Sequence, residues 1–334
     1  MGERVRKYVV IVAVLSAICF AAGAVGGLAV AADKFPNGPV QLVVPFKPGG
    51  GADRTMRLFA PYLSKELGVP VNVINISGGG GWVAWSQVAK WDPKKDDHKL
   101  ACVNIPHVLS YMDPRMKRKE TLESFGFLAW HSFDPCIWAV REGDPRFQTL
   151  KEFLAYVKAN PNKVIMSTTG VGSDDHMGIA YAEKYIPDFK VKKVYANSDG
   201  KKIAEVLGKH TDAVAGNVGY YIPYMLEMKL RPIAVLHHER WNRLPSVRTF
   251  NEVTGKMNIS YAGRTLAGAK GLPEEKRQIY IAAIGRAIKN PEYVMKEINN
   301  KNALLYLTGD DLWDALNRAR QMVSEVKFWE MATK

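Results

Sequence analysis

Short apolar runs typical of strands alternate along the chain with segments whose apolar residues recur at helical spacing. The run at 40–44 is rich in valine, and Met56, Phe59, Leu63 and Leu67 follow it at helical intervals. The same succession returns at 164–169, where a helix is predicted over 174–185, and further segments of both kinds continue to residue 329. This alternation predicts an α/β fold with mainly parallel sheets flanked by helices.

Glycine-bearing turns join these predicted strands to the helices that follow them. The first reads Pro-Phe-Lys-Pro-Gly-Gly-Gly-Ala-Asp-Arg over 45–54, and another contains Gly170 and Gly172. Glycine lets a ligand approach the backbone, and the free N–H groups at a helix N-terminus attract an anion. The Walker and dinucleotide spacings are both absent. The first loop therefore either binds an anionic group or is a tight turn that binds nothing.

The position of these loops favours a cleft. Ligands of open α/β sheets bind at the carboxyl ends of the strands, where the loops between strands and helices converge. Two such loops, far apart in the sequence, can face each other across a cleft between two domains. Closure of the domains around a solute is a common use of this geometry.

The first 32 residues have the pattern of a secretory signal peptide. Arg4, Arg6 and Lys7 precede an apolar stretch over 8–30, which ends in small residues at 29–32. The alternative is an uncleaved membrane anchor, because the stretch approaches spanning length. Export would place the remaining chain in the periplasm, where ATP and NAD are not available, so we predict no cofactor.

Charge, cysteine and histidine content narrow the function classes only slightly. The chain has 334 residues and a formal net charge of +13, but its basic residues are dispersed, which argues against nucleic acid. An acidic ligand and a merely well-solvated surface both fit this charge. Beyond the leader only Cys102 and Cys136 remain, either as a disulfide or as two buried thiols. No histidine pair has a ligand spacing such as H-x-x-x-H, so we predict no metal site.

The start of the helix after the second loop superficially combines a nucleophile, an acid and a base. Ser173, Asp174 and His176 lie on a single helical turn, which cannot produce the Ser–His–Asp alignment, so we predict no catalytic residue. Two carboxylates beside a bound carboxylate would repel it. Asp174 and Asp175 therefore either turn away to cap their own helix or recognise an amino or hydroxyl group of the ligand.

Several motifs in fixed order resemble one family. They are the residues at 35–40, the glycine loop at 45–53, the strand region at 67–75, Gly170–Ser173 with His176, and the segment at 245–252. Together they make the chain similar to the Bug, or TctC-like, extracytoplasmic solute-binding receptors of tripartite tricarboxylate transporters. The resemblance covers essentially the whole chain after the leader.

The resemblance implies a two-domain periplasmic-binding-protein fold of the Venus flytrap type, without catalysis. It implies one domain over 33–133 plus 246–334, a second over 134–245, and a ligand cleft between them. It also implies a small carboxylate ligand, membrane permease subunits as partners, and a monomer. The ligand-binding residues carried over by position are Phe46, Gly49, Gly50, Gly51, Ala52, Asp53, Asn104, Ser167, Thr168, Gly170, Val171, Gly172, Ser173 and His176.

Departures from the family pattern leave the ligand open. Residues 196–198 read Ala-Asn-Ser where the family often has Tyr-Lys-Gly, and Asp174 and Asp175 replace small hydroxyl residues. We carry three hypotheses: a receptor that delivers a carboxylate to a permease, a sensor of the same fold that signals to a membrane kinase, and an exported hydrolase. The last lacks a visible catalytic constellation.

Overall fold

The computed structural model describes residues 35–196, 198–299 and 303–331. The predicted leader at 1–32 and Asn197 lie outside the described residues. Among the described helices, none combines the length and the apolar character needed to cross a membrane.

Strands and helices alternate through most of the chain, as the apolar pattern predicts. The strands are β1 Val40–Val44, β2 Val71–Asn75, β3 Lys99–Ile105, β4 Gly126–Arg141, β5 Ile165–Thr168, β6 Lys192–Tyr195, β7 Ala213–Asn217, β8 Leu230–Leu236, β9 Tyr261–Gly268 and β10 Ala303–Leu307. The helices are α1 Gly51–Leu67, α2 Trp82–Val88, α3 Leu150–Ala159, α4 Asp174–Tyr185, α5 Asp199–Leu207, α6 Val218–Leu226, α7 Phe250–Thr254, α8 Glu274–Ile288, α9 Pro291–Asn299 and α10 Gly309–Val326.

Local chemistry explains where several helices begin and end. Thr149 and Glu152 form a reciprocal capping box at the start of α3, and the Ser173 hydroxyl accepts the backbone N–H of His176 at the start of α4. Gly68 ends α1 with φ +72°, a left-handed conformation that glycine adopts without strain. These signals are readable in the sequence, and the Ser173 cap places the loop that contains Gly170 and Gly172 directly before α4.

The long strand β4 joins two sheets. Residues 126–135 of β4 pair with β9 in a first sheet, whose strand order is β2-β1-β3-β9-β4 with β10 also on β4. Residues 136–141 pair with β7 and β8 in a second sheet, which continues through β5 to β6. The change of partners between residues 135 and 136 lies two residues after the predicted domain boundary between 133 and 134. The division into two domains, including 246–334, stays a prediction.

The sheets are mixed rather than mainly parallel. The pairs β1–β2, β1–β3, β5–β6 and β5–β7 are parallel, as expected for strands linked through helices. The strands β4 and β9, however, run antiparallel to their neighbours. Because β4 and β9 lie at the centre of the strand order, they bring antiparallel pairing into both sheets.

Each sheet has its own buried core. Trp82, Trp85 and Trp130 pack with residues of α10 in the core of the first sheet. In the second sheet the rings of Trp138 and Phe189 stack at 5.6 Å, with an interplanar angle of 10°. Trp82 and Trp130 are almost fully buried in the core.

Candidate functional site

The first glycine loop is held rigidly between β1 and α1 by the carboxylate of Asp53. Its Oδ2 accepts the backbone N–H of Gly49 at 2.9 Å, while Oδ1 accepts from Asn75 at 2.8 Å and Arg57 at 2.9 Å. Burial raises the pKa of Asp53, but these hydrogen bonds and the charge of Arg57 more than offset it and hold the pKa below its usual value. Asp53, a predicted ligand residue, thus positions the loop.

A narrow cavity opens at the start of α1. Its volume is about 70 Å³, and among the predicted residues it is lined by Phe46, Gly50, Gly51, Ala52 and Asn104. The first backbone N–H groups of a helix have no acceptor within the helix and carry partial positive charge. The first N–H groups of α1 therefore lie beside this cavity.

A wider cavity of about 470 Å³ adjoins the narrow one, since Phe46, Lys47, His107 and Thr169 line both. The loop before α4 forms one of its walls through the predicted residues Gly170, Val171 and Ser173. A second glycine cluster over 78–81 forms another. The two predicted loops therefore face a common space.

Six predicted residues lie outside the walls of these two cavities: Gly49, Asp53, Ser167, Thr168, Gly172 and His176. The hydroxyl of Ser167 donates to Glu205 at 2.8 Å, and Thr168 is fully buried. A Cβ on Gly172 would lie 2.8 Å from the Cβ of Ser110, so that glycine permits a close approach between loops. Ser167, Thr168 and Gly172 thus lie behind the loop before α4 or within it, rather than in the cavity walls.

Most N–H groups of the loop before α4 already have acceptors. The N–H of Gly172 donates to Nδ1 of His176 at 3.2 Å, and that of Thr169 donates to Oδ2 of Asp175 at 3.0 Å. The N–H of Ser173 donates to the carbonyl of Gly170 at 3.1 Å. His176 is buried behind the loop, and its burial lowers its pKa to about 4, which keeps it neutral. The loop therefore has fewer free donors than the start of α1.

The two aspartates after this loop take different directions. Asp175 is fully buried and turns to Lys202, whose Nζ lies 2.6 Å from Oδ2. Asp174 lines the narrow cavity, where its Oδ2 accepts from Asn217 at 2.6 Å and its Oδ1 lies 3.4 Å from Nε2 of His107. Asp175 thus contacts α5, and Asp174 contacts the end of β7 and the loop that contains His107.

The geometry also rules out a triad at this helix. The Ser173 hydroxyl accepts the backbone N–H of His176, while the His176 ring accepts the N–H of Gly172. Asp174 points to Asn217 and Cys136 rather than to the imidazole. His176 is therefore not placed to activate Ser173 as a nucleophile.

The two cysteines are buried free thiols, which decides between the two alternatives that the sequence leaves open. Burial raises the pKa of Cys102 to about 12, and that of Cys136 well above its usual value. Neither is a reactive thiolate at neutral pH.

One group of side chains has the spacing of a metal site. His237, His238 and Glu239 bring their ligand atoms within 4.8 Å of one another. The two imidazole rings lie 3.9 Å apart. Nδ1 of His237 already lies 3.1 Å from the carbonyl oxygen of Glu239.

Sequence reasoning missed several residues of the cleft. They are His107, Asn217, Asp199 and Arg264, which line the narrow cavity together with the predicted ones. His107 lies three residues after the predicted residue Asn104, so the same loop could have indicated it. Nothing in the sequence around Arg264 indicates a site, because only the pairing of β9 with β3 and β4 brings it there.

Two joined sheets with glycine loops that face a cleft are an arrangement typical of solute-binding proteins. The family model for the tripartite tricarboxylate transporter family receptor, TctC, matches residues 55–317. The chain therefore belongs to this family of receptors, which confirms the family predicted from the motifs. A periplasmic location is typical of the family.

Individual relatives agree with this assignment. The chain is 32% identical over 270 residues to the UPF0065 protein in the gbd 5'region of Cupriavidus necator, covering 78% of each chain. A TctC solute-binding protein from Polaromonas is 26% identical with a TM-score of 0.68, covering 87% of this chain and 98% of that one. MatC from Rhodopseudomonas palustris, solved with bound malate, has the same fold with a TM-score of 0.75, at 22% identity and with 90% and 100% of the chains covered.

Proposed function

We propose that this protein is a periplasmic receptor that captures a small organic acid in the cleft and delivers it to the membrane permease of a tripartite tricarboxylate transporter. The observation that carries the proposal is the cavity at the start of α1, where a rigid glycine loop presents helix N-terminal N–H groups. MatC, a protein of the same fold, holds malate, so the fold accommodates an organic acid.

Residues 1–32 act in this proposal as a signal peptide that is removed on export. N-terminal sequencing of protein purified from the periplasm tests this, and a start near residue 33 is the expected result. Retention of residues 1–32 would instead support the membrane-anchor alternative.

Capture proceeds by closure of the two sheets and their helices around the acid. The wider cavity supports this proposal, because it is lined both by the first glycine loop and by the loop before α4, which lie far apart in the sequence. Small-angle X-ray scattering with and without ligand measures the change. A smaller radius of gyration on binding supports closure, and an unchanged one contradicts it.

Native mass spectrometry of freshly purified protein is the first experiment. We expect a small carboxylic acid to be released on mild unfolding, or acids to raise the melting temperature in a screen if the protein is isolated empty. Release of a nucleotide, a metal or a phosphate ester would overturn the carboxylate proposal.

The loop assignment is tested with Gly50→Val. Gly50 has φ −74° and ψ 169°, which valine adopts, and its Cβ would meet only the carbonyl oxygen of Lys47 at 3.5 Å. The isopropyl group then occupies the narrow cavity, so we expect affinity for the acid to fall by about 100-fold while the fold is retained. Gly38→Val is the control, since its Cβ meets only His98 at 4.0 Å. Equal binding by Gly50→Val and wild type would refute the assignment.

A further inference from the structure

Arg264 is a buried cation at the centre of the first sheet. It lies in β9, opposite Asn104 of β3 on one side and Ser132 of β4 on the other, and only 3% of its surface is exposed. Transfer of a charged group from water into the interior is strongly unfavourable unless the charge is paired and hydrogen-bonded. A buried guanidinium therefore requires a partner.

Among the described residues, this cation has only a loose ion pair with Asp134. Nε and Nη1 of Arg264 have no hydrogen-bond acceptor among the described residues. The carboxylate of Asp134 is the neighbouring acid, but its Oδ2 lies 4.0 Å from Nη2, beyond hydrogen-bond distance, and its Oδ1 accepts the N–H of Gly219 at 3.0 Å. Burial also raises the pKa of Asp134 to about 7, which weakens it as a counter-ion.

The other carboxylates around the cavity are already satisfied. Asp199 lies 2.9 Å from Nζ of Lys202, and Asp174 accepts from Asn217 at 2.6 Å and from the thiol of Cys136 at 3.0 Å. Neither competes for the free donors of the guanidinium. Arg264 consequently keeps two buried nitrogens, Nε and Nη1, without an acceptor among the described residues, and its side chain lines the ligand cavity.

The guanidinium and the first glycine loop converge on one place. Arg264 lines the narrow cavity and also a smaller one of about 30 Å³, and Gly51 lines both. A Cβ on Gly51 would lie 2.9 Å from Nη2 of Arg264, so the cation is packed against the first residue of α1. The charge of Arg264 and the positive end of the α1 dipole therefore act on the same small volume.

We propose that Arg264 binds a carboxylate of the ligand at the start of α1, through the planar donor pair of its guanidinium. This inference rests on the proposed function and adds a specificity-determining residue to it. An ionised carboxylate matches the guanidinium fork with two hydrogen bonds, whereas an amide or an ester lacks the charge and one of the acceptors. The receptor then selects ionised acids over their neutral derivatives.

The test compares acid and amide binding in wild type and in variants of Arg264. A panel of malate, succinate, citrate, adipate and benzoate is screened by thermal shift, and the acid that binds best and its amide are then titrated by calorimetry. Arg264→Met removes the charge and keeps the length of the side chain, and Arg264→Lys keeps the charge without the fork. Arg286→Met is the matched control, since it removes an exposed arginine that pairs with Glu66 on the surface.

We expect Arg264→Met to lose about 100-fold or more in affinity for the acid. Its preference for acid over amide should also disappear, an effect that a purely structural role would not produce. The affinity of Arg264→Lys for the acid should lie between those of wild type and Arg264→Met. Arg286→Met should bind as wild type does. Affinity within threefold of wild type in Arg264→Met would overturn the inference and leave the receptor function standing. If wild type binds no acid of the panel and none is released from it, both the proposed function and the role of Arg264 are refuted.

Circular dichroism establishes that the variants are folded. Should Arg264→Met fail to fold, Arg264→Lys and Gly51→Ala decide the matter. Alanine fits the helical backbone at Gly51, and its methyl group displaces Nη2 of Arg264 while the charge is kept. A loss of acid affinity in both variants supports the inference, and unchanged affinity in both refutes it.

Discussion

The buried lysine of α5 gives the sharpest stability prediction. Lys202 is fully buried, and its Nζ lies 2.6 Å from Oδ2 of Asp175, 2.9 Å from Oδ1 of Asp199 and 3.0 Å from the carbonyl oxygen of Ala215. Replacement by methionine keeps the volume but leaves a buried carboxylate without its counter-ion. Removing one partner of a buried ion pair costs about 3–5 kcal/mol. We expect a loss of that size in the free energy of unfolding.

The pH dependence should identify Asp175 as the cause. Burial raises the pKa of Asp175, but the attraction of Lys202 outweighs it and lowers the pKa from 3.8 to about 2. Since the folded pKa lies below the unfolded one, the wild type gains roughly 2 kcal/mol of stability from this group above pH 4 and loses it as the pH falls through 2. In Lys202→Met this gain is absent, so the difference between the two proteins should shrink as the pH falls.

Guanidinium unfolding at several pH values measures both effects. Lys201→Met is the control. Lys201 directly precedes Lys202 in α5, its side chain is 60% exposed, and its Nζ lies 3.9 Å from Oε1 of Glu205. An exposed pair of this kind contributes less than about 1 kcal/mol. A loss below about 1 kcal/mol in Lys202→Met, or a loss that does not change with pH, would refute the reasoning about the buried pair.

Two further predictions concern the loops of the cleft. In Gly81→Ala the free energy of unfolding should fall by about 2–4 kcal/mol, because Gly81 has φ +103° and a Cβ would lie 2.6 Å from the ring of Trp85. Gly143→Ala is the control: Gly143 also has a positive φ, +73°, but its Cβ would meet no atom within 4 Å, so only the cost of the backbone conformation should remain. His176 has its pKa lowered to about 4 by burial, so stability should fall by about 3 kcal/mol as the pH drops from 6.5 to 4. His176→Asn, whose Oδ1 replaces the acceptor for Gly172, should show a smaller fall, and an equal fall would contradict the assignment.

The sequence predicts the local parts of the site well. The helix at 174–185 has the predicted bounds, and Ser173 caps it. These features depend on capping groups, glycine and apolar spacing within a few residues, so they are encoded where they occur.

Other elements escaped prediction because their stability comes from distant partners. The strand β10 is short and owes its conformation to pairing with β4. The sequence indicates β4 only at 137–140, but the strand extends over 126–141 because both of its ends find partners, one in each sheet. The helix α5, which carries Lys202, is only nine residues long, and no helix was predicted there.

The sequence by itself determined the receptor family, the order of most elements and the glycine loop that begins α1, because motifs and capping signals act over short stretches of chain. Only the tertiary structure decided which charges share the cleft. Arg264 comes within reach of Gly51 through the register of β9 against β3 and β4. A shift of that register by one residue would turn the guanidinium to the opposite face of the sheet, since successive side chains of a strand alternate between faces.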